Sequence, residues 1–365
     1  MAVWALPVPL LPGELVSSWL ARAALRMGCD PLVMSGCYFG KERIWAKDFD
    51  RIRVDERFTP LLGASGLDAD VLYKASLWPI AEKYVPGKLE SAGVIPWILA
   101  TGARNRKRYG GLQACPLCLR EDVVPYYRQQ WRLAWHTGCA PHEVQLLDRC
   151  PRCRIVFEPH RLEAKDRHLG ICASCKADLR EFTSKPAHTA AMAFQRAADE
   201  VLNTGTGMYG KQLIPASEWL MLARYFTVLI RRSLAGRGSG LAAVLGRLGA
   251  HVPDLKSPET GLALELLPIG ERAMLLSGVW GILAAGPDRL ISEAAAVGIT
   301  AQSLRGDLRA AFPECLTSVL SQLPPSNRKP RGKPKRQENK PISRERVLSM
   351  LAKLYRKANI SCPIR

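Results

Sequence analysis

Between residues 115 and 175 the chain carries four short pairs of soft donors: Cys115-x2-Cys118, Cys139-x2-His142, Cys150-x2-Cys153 and Cys172-x2-Cys175. Two donors separated by two residues can close on one ion, and eight donors complete two tetrahedral sites. The first two pairs are separated by 20 residues and the last two by 18. The second set has the spacing of ribbon-type zinc sites, and the first is close to it with one thiolate exchanged for imidazole. The pattern predicts two structural zinc ions. Four protein donors on each ion leave no open position for water, so neither site is expected to catalyse.

Four pairs can share two ions in three ways. Sequential pairing joins Cys115, Cys118, Cys139 and His142 on one ion, and Cys150, Cys153, Cys172 and Cys175 on the other. A cross-brace would join the first pair to the third and the second to the fourth. A nested arrangement would join the second and third pairs across a seven-residue loop. Sequential pairing is preferred because both sets then enclose similar loops. His136 is the rival ligand to His142, which is preferred because Cys-x2-His reproduces the two-residue knuckle. His160 and His168 lie outside any knuckle and read as surface residues.

Other chemistry is thinly represented. No phosphate-binding glycine loop with its lysine and no nucleophile elbow is present. Asp48/Asp50 and Asp68/Asp70 have a spacing that a metal nuclease could use, but such acidic pairs are common. The formal net charge is +19, from 52 Lys+Arg against 33 Asp+Glu. A bias of that size points to a polyanionic partner, with nucleic acid ahead of an acidic membrane surface. Candidate phosphate contacts are the run Arg104, Arg106, Lys107, Arg108 ahead of the first pair, and Arg128 and Arg132 beside the rings of Tyr126, Tyr127, Trp131 and Trp135, which either reach phosphate or merely stack on those rings. Those rings read first as packing around the metals and second as a base-stacking platform. A third group is Arg328, Lys329, Arg331, Lys333, Lys335 and Arg336, in a segment too polar to fold alone.

The elements that must position these groups are mostly helical. Leu15, Val16, Trp19, Leu20 and Ala23 follow helical spacing, between Pro12 and a stop at Gly28. Arg57 to Leu77 reads as two short helices hinged at Gly63–Gly66, with Asp68 as cap and Val71, Leu72 and Ala75 inward. Short strand-like pieces are expected between the knuckles. Trp219 to Leu234 is an amphipathic helix whose last turn carries Arg231 and Arg232. Pro287 opens a helix that stops near Gly298, and Thr300 caps the next one, a second helix-turn-helix-like unit. A last basic helix is expected over Ser343 to Lys357.

The fold class is therefore mainly α with a small zinc-ribbon-like α+β module, its helix-turn-helix-like units flanking two structural zinc sites. Four regions are expected: a helical 1–110, a double zinc module 111–185, a helical 186–323, and a basic linker with terminal helix 324–365. Hydrophobic residues make up 47% of the chain and aromatics 7%, the composition of a folded protein. No apolar run reaches the length of a membrane span. The N-terminus lacks a basic leader and has Pro7, Pro9 and Pro12, which argue against a signal helix. The eleven cysteines are then expected in a reducing compartment, as metal ligands and not disulfides.

The chain resembles the TniQ family, target-selection proteins of bacterial transposons. The resemblance rests on LPGELVSSWLARAA at 11–24, on CPLCLREDVVPYYRQQWRLAWHTGCAPHEVQLLDRCPRC at 115–153, and on CASC at 172–175; beyond residue 190 it is less distinct. Membership implies a non-catalytic protein of the bacterial cytoplasm that marks a target and recruits an AAA+ ATPase, which directs a separate DDE transposase. Some relatives read DNA directly and others dock on an RNA-guided CRISPR effector complex; some act as dimers. The eight ligands carry over position by position, and no DNA-contacting residue does so. The expected role is a DNA-binding, zinc-stabilised adaptor in transposition. The alternative is a zinc-ribbon, helix-turn-helix transcriptional regulator. A transposase or nuclease is disfavoured by the missing carboxylate constellation.

Overall fold

The computed structural model describes residues 3–42, 44–51, 53–85, 94–101, 111–235, 239–250, 262–305 and 312–325, with Ser343, Val347, Leu348, Met350 and Leu351. Residues 1–324 form one unit and 325–365 a second. The boundaries expected at 110 and 185 fall inside the first.

Helix α1 (Val16–Arg26) is the hub of the N-terminal region, and every residue from Val16 to Leu25 is buried. It separates two apolar clusters. Val16, Trp19, Leu20, Ala23 and Ala24 face one, with Phe39, Phe49 and Phe58. Leu15, Ala21 and Leu25 face the other, which continues into the cysteine-rich region. Leu15 precedes the helix and offers no side-chain cap. That need is met from a distance, because the backbone N–H of Ser17 donates to Asp50 Oδ1 at 2.8 Å, satisfying one of the free donors of a helix start. Arg22, also buried, pairs with Glu14 at 2.6 Å.

Helix α2 (Pro31–Phe39) follows, and then a run of single turns leads to α3 (Thr59–Ser65), α4 (Ala69–Ala75) and α5 (Trp78–Glu82). The turn between α3 and α4 uses Gly66 in the left-handed region (φ 71°). Two expectations fail here. Asp68 precedes α4 but makes no capping bond. Val71 is exposed, and only Leu72 and Ala75 turn inward: a helix of two turns buries one narrow stripe, and Val71 sits off it.

In the cysteine-rich region the only helix among the described residues with α geometry is α6 (Pro116–Glu121). The strand-like pieces expected there reduce to single antiparallel bridges, Ala114 with Leu147, Gly138 with Gln145 and Ile171 with Asp178. Knuckles that reverse the chain every few residues leave no length for a ladder. The strands appear later: β1 (Thr206–Tyr209) and β2 (Gln212–Pro215) pair antiparallel, with Met208 opposite Leu213.

The remaining helices, α7 (Thr189–Thr204), α8 (Ala216–Leu234), α9 (Ser239–Arg247), α10 (Ile269–Val297), α11 (Ala301–Arg305) and α12 (Thr317–Ser321), enclose the largest core. Helix α10 is two helices joined at Gly286, whose φ of 76° and ψ of 175° are not helical, followed by Pro287. The kink seats the hairpin, since a Cβ on Gly210 would lie 2.5 Å from Pro287 Cδ. Trp97, Leu99, Leu133 and Trp135 enter this core from the preceding regions. Arg272, fully buried on α10, donates to the carbonyl of Ala134 at 2.6 Å and to Gln113 Oε1 at 2.5 Å. Gln113 in turn donates to the carbonyls of Trp131 and His136. No helix among the described residues is long and apolar enough to cross a membrane.

Candidate metal centre

Each of the first two donor pairs is built differently. Cys115 precedes α6, Pro116 opens it with the fixed φ that suits a first helical residue, and Cys118 N–H donates to Cys115 Sγ at 3.5 Å. One helical turn thus aims both sulfurs the same way. The other three pairs share a different device. The residue after the second donor is in the left-handed region: Glu143 (φ 52°), Arg154 (φ 63°) and Lys176 (φ 58°). Its N–H returns to the carbonyl of the first donor, to Cys139 at 2.8 Å, Cys150 at 2.9 Å and Cys172 at 2.9 Å. The first donor's N–H goes to the carbonyl one residue further on, of Val144, Ile155 and Ala177. A left-handed residue without glycine costs on the order of 1–2 kcal/mol, and three of them in register make these turns a built feature.

The donors gather as Cys115, Cys118, Cys139 and His142, and as Cys150, Cys153, Cys172 and Cys175, the ligand atoms of each set lying within 4.8 Å of one another. In the second set, Cys150 Sγ and Cys175 Sγ are 3.7 Å apart, as are those of Cys153 and Cys172. Sulfurs about 2.3 Å from a tetrahedral ion stand about 3.8 Å apart. In the first set, His142 Nδ1 faces Cys115, Cys118 and Cys139 at 3.6, 3.4 and 3.3 Å. Both sets can hold a metal ion, and the donor chemistry and spacing suit zinc. Burial pushes the Cys172 thiol up to about 12 and raises that of Cys150, while Cys175 of the same set is lowered to about 7; a cation among them would stabilise all four as thiolates.

The far side of His142 is also occupied. Its Nε2 lies 2.9 Å from Glu121 Oε2, the carboxylate partner that fixes ring orientation in metal-binding histidines. Glu121 is on α6, three residues after Cys118; a carboxylate one turn from a ligand was the signal that sequence reading passed over. His136 is no ligand, because its Nε2 faces Asp199 Oδ1 at 2.8 Å. His160 stacks on Trp45 with centroids 4.9 Å apart and, like His168, is half-buried. Tyr127 and Trp131 are buried in the cluster that holds the donor cysteines, whereas Trp135 is buried in the largest core.

The charged candidates separate sharply. Arg132, expected to reach phosphate, has no exposed side chain. Its guanidinium binds Asp50 at 2.6 Å, Asp48 at 2.5 Å and the Leu99 carbonyl, which leaves it no free face. Arg128 lies between the rings of Tyr126 and Trp131, 4.3 and 4.7 Å from their centroids, and bonds Asp122 through both terminal nitrogens. Arg104, Arg106, Lys107, Arg108, Arg328, Lys329, Arg331, Lys333, Lys335 and Arg336 lie outside the described residues, as does most of the helix expected over Ser343 to Lys357.

The two helix-turn-helix-like units also differ. The exposed side of α4 carries Asp68 and Asp70 beside Lys74, a poor surface for phosphate. In the later unit, Gly298 (φ 74°) ends α10 and Thr300 Oγ1 accepts from Ser303 N–H at 3.3 Å, as a helix cap does. Gln302, Ser303 and Arg305 face outward on α11.

Residues 5–146 match the TniQ family model. Over that stretch the chain is similar to a TniQ domain. The TniQ match takes in α1 and the whole first donor set, and ends before Cys150, so the second set lies beyond it. No curated protein matches the chain.

Proposed function

We propose that this protein is a non-catalytic adaptor in DNA transposition, held together by two structural zinc ions, which contacts DNA or a target-recognition complex and recruits an AAA+ ATPase. The observation that carries the reading is the TniQ match over residues 5–146 with its closed Cys115/Cys118/Cys139/His142 set inside it. Four protein donors around each ion serve a structural and not a hydrolytic site. Asp48 and Asp50 are a poor nuclease centre: both carboxylates are bonded to the one guanidinium of Arg132, in the place where a nuclease would bring metal and water.

DNA affinity is assigned chiefly to the two most basic stretches of the sequence. Between residues 326 and 365 the chain has 13 Lys+Arg against 2 Asp+Glu, and residues 104–108 add four more cations without an acid. Charge at that density gives sequence-independent affinity by counterion release. The test is reconstitution with the products of neighbouring genes. An adjacent AAA+ ATPase that is retained by the full-length protein on DNA, and lost after metal removal, supports the reading. A chain whose neighbours include neither ATPase nor transposase, and which represses a promoter instead, belongs to the regulator alternative.

A further inference from the structure

The second donor set lies beyond the family match. At its rim is a groove of about 370 Å3, lined by Ile155, Val156, Glu158, Arg161, Ala173 and Ser174. The groove runs between the knuckle Cys150–Cys153 with its following residues and the tip of the knuckle Cys172–Cys175. Arg152 and Arg154 flank Cys153 and are exposed.

These two arginines differ from their neighbours. Arg120 is spent on the carbonyl of Arg180, Arg128 on Asp122, Arg149 on Asp148, Arg161 on Glu158 and Arg180 on Asp178. Neither Arg152 nor Arg154 has a carboxylate among the described residues. The turn that presents them is rigid, closed by Arg154 N–H to the Cys150 carbonyl and Cys150 N–H to the Ile155 carbonyl, both at 2.9 Å. Lys176 holds the matching left-handed position in the neighbouring knuckle, and there the cation is bound to Asp166 at 2.6 Å. The groove's one acid, Glu158, has a side chain 11% exposed and is held by Arg161 at 3.2 Å, so it does not oppose an anion. Ala173 and Ser174 keep the far wall low, and Ile155 is 41% exposed beside the arginines.

Two guanidinium groups with no carboxylate partner on a fixed turn, a shallow polar groove and one exposed aliphatic side chain suit the chemistry of a nucleic-acid backbone, with phosphates on the arginines and sugar against the isoleucine. We infer that the Cys150–Ile155 knuckle is a docking site for the phosphodiester backbone of duplex DNA, with Arg152 and Arg154 as its phosphate ligands. This deepens the adaptor reading and rests on it, placing part of the DNA contact on the folded unit.

The experiment is a salt titration of full-length protein on a random-sequence DNA duplex, with an RNA duplex of equal length in parallel. Each phosphate contact contributes about 0.9 to the slope of log affinity against log salt. The Arg152→Ala/Arg154→Ala double variant is therefore expected to lower that slope by about 1.8. Arg152→Lys/Arg154→Lys should restore most of it, and Arg167→Ala should leave it unchanged. Metal content and thermal melting of each variant are measured alongside. An unchanged slope in the double alanine variant overturns the site even where the adaptor reading stands. If that variant also loses metal, the arginines serve only to balance thiolate charge. Wild-type protein without DNA affinity overturns the site and the DNA contact of the adaptor together, and tighter binding to the RNA duplex overturns the assignment to DNA.

Discussion

Arg132 Nη1 and Asp50 Oδ2, 82 positions apart in the chain, lie 2.6 Å from each other with both side chains almost wholly buried. The contact ties the turn after α2 to the aromatic segment between the first two donor pairs. Asp48 joins through Arg132 Nη2, and Ser17 Oγ and N–H complete the shell of Asp50. Arg132→Leu leaves two carboxylates inside without their cation. Removing one partner of a buried pair costs about 3–5 kcal/mol. Urea unfolding of the variant should show a loss of that order, and a loss under about 1 kcal/mol, the worth of an exposed pair, would mean that water reaches the carboxylates.

Asp50 also sets a pH dependence. Burial lifts its carboxyl from the usual range to about 6, with Arg132 acting in the opposite direction. A carboxyl whose folded value is raised takes up its proton more readily folded than unfolded. Its contribution to stability is therefore complete below about pH 4, the unfolded value, and is lost as pH rises through about 6. Comparing wild type with Asp50→Asn by urea midpoint at several pH values isolates it. The difference between the two should change across that interval and level off above it. Parallel curves would show that Asp50 keeps one charge state throughout.

Much of this arrangement was readable in advance, for reasons that differ by residue. The eight donors were legible because metal coordination fixes both residue type and spacing, and α1 and α8 because their apolar periodicity spans several turns. Thr300 and Gly298 were legible because capping is local. Arg132 was misread because an arginine amid aromatic rings looks the same whether it faces solvent or a distant carboxylate. Its partners Asp48 and Asp50 were themselves seen only as a nuclease-like pair. The hairpin at 206–215 escaped because four-residue strands give too short an alternation, and its seat on Pro287 is a tertiary fact. Left-handed φ at Glu143, Arg154 and Lys176 has no residue-type signature; it follows from the metal knuckle.

Glu121 should matter to metal affinity without being a ligand. Its carboxylate holds His142 through Nε2 at 2.9 Å, fixing the tautomer that turns Nδ1 toward the three sulfurs. Losing such a partner typically costs about 10–100-fold in affinity. Glu121→Gln is expected to release one equivalent of zinc at a correspondingly lower chelator concentration. His136→Gln should retain both ions, because His136 is engaged with Asp199. Equal release from both variants would return His136 to the ligand set.

Cys150→Ser removes a ligand that is also a core residue, buried with Phe157, Leu162 and Leu169 in the cluster shared with α1. Zinc content should fall from two ions to one, and the melting temperature should fall with it, because structural metal binding is folding free energy. DNA binding and partner recruitment are expected to fail together, since one apolar cluster joins this site to the TniQ segment. A variant that retains two ions and its melting temperature would rule the site out.

The basic segment beyond residue 327 permits a further measurement, because it belongs to the unit of residues 325–365 and not to that of residues 1–324. Arg328 to Lys340 contains seven cations and one acid. If each cation met one phosphate, deletion would lower the salt slope by about 6, at roughly 0.9 per contact; a segment that engages fewer phosphates gives a proportionally smaller change. Melting temperature and zinc content should be untouched. The deletion and the Arg152/Arg154 double variant remove different cations, and effects on slope that add would mark independent phosphate contacts. A slope unchanged by the deletion would show that the segment does not contact phosphate and would leave the DNA affinity to the remaining cations, residues 104–108 and the knuckle arginines among them.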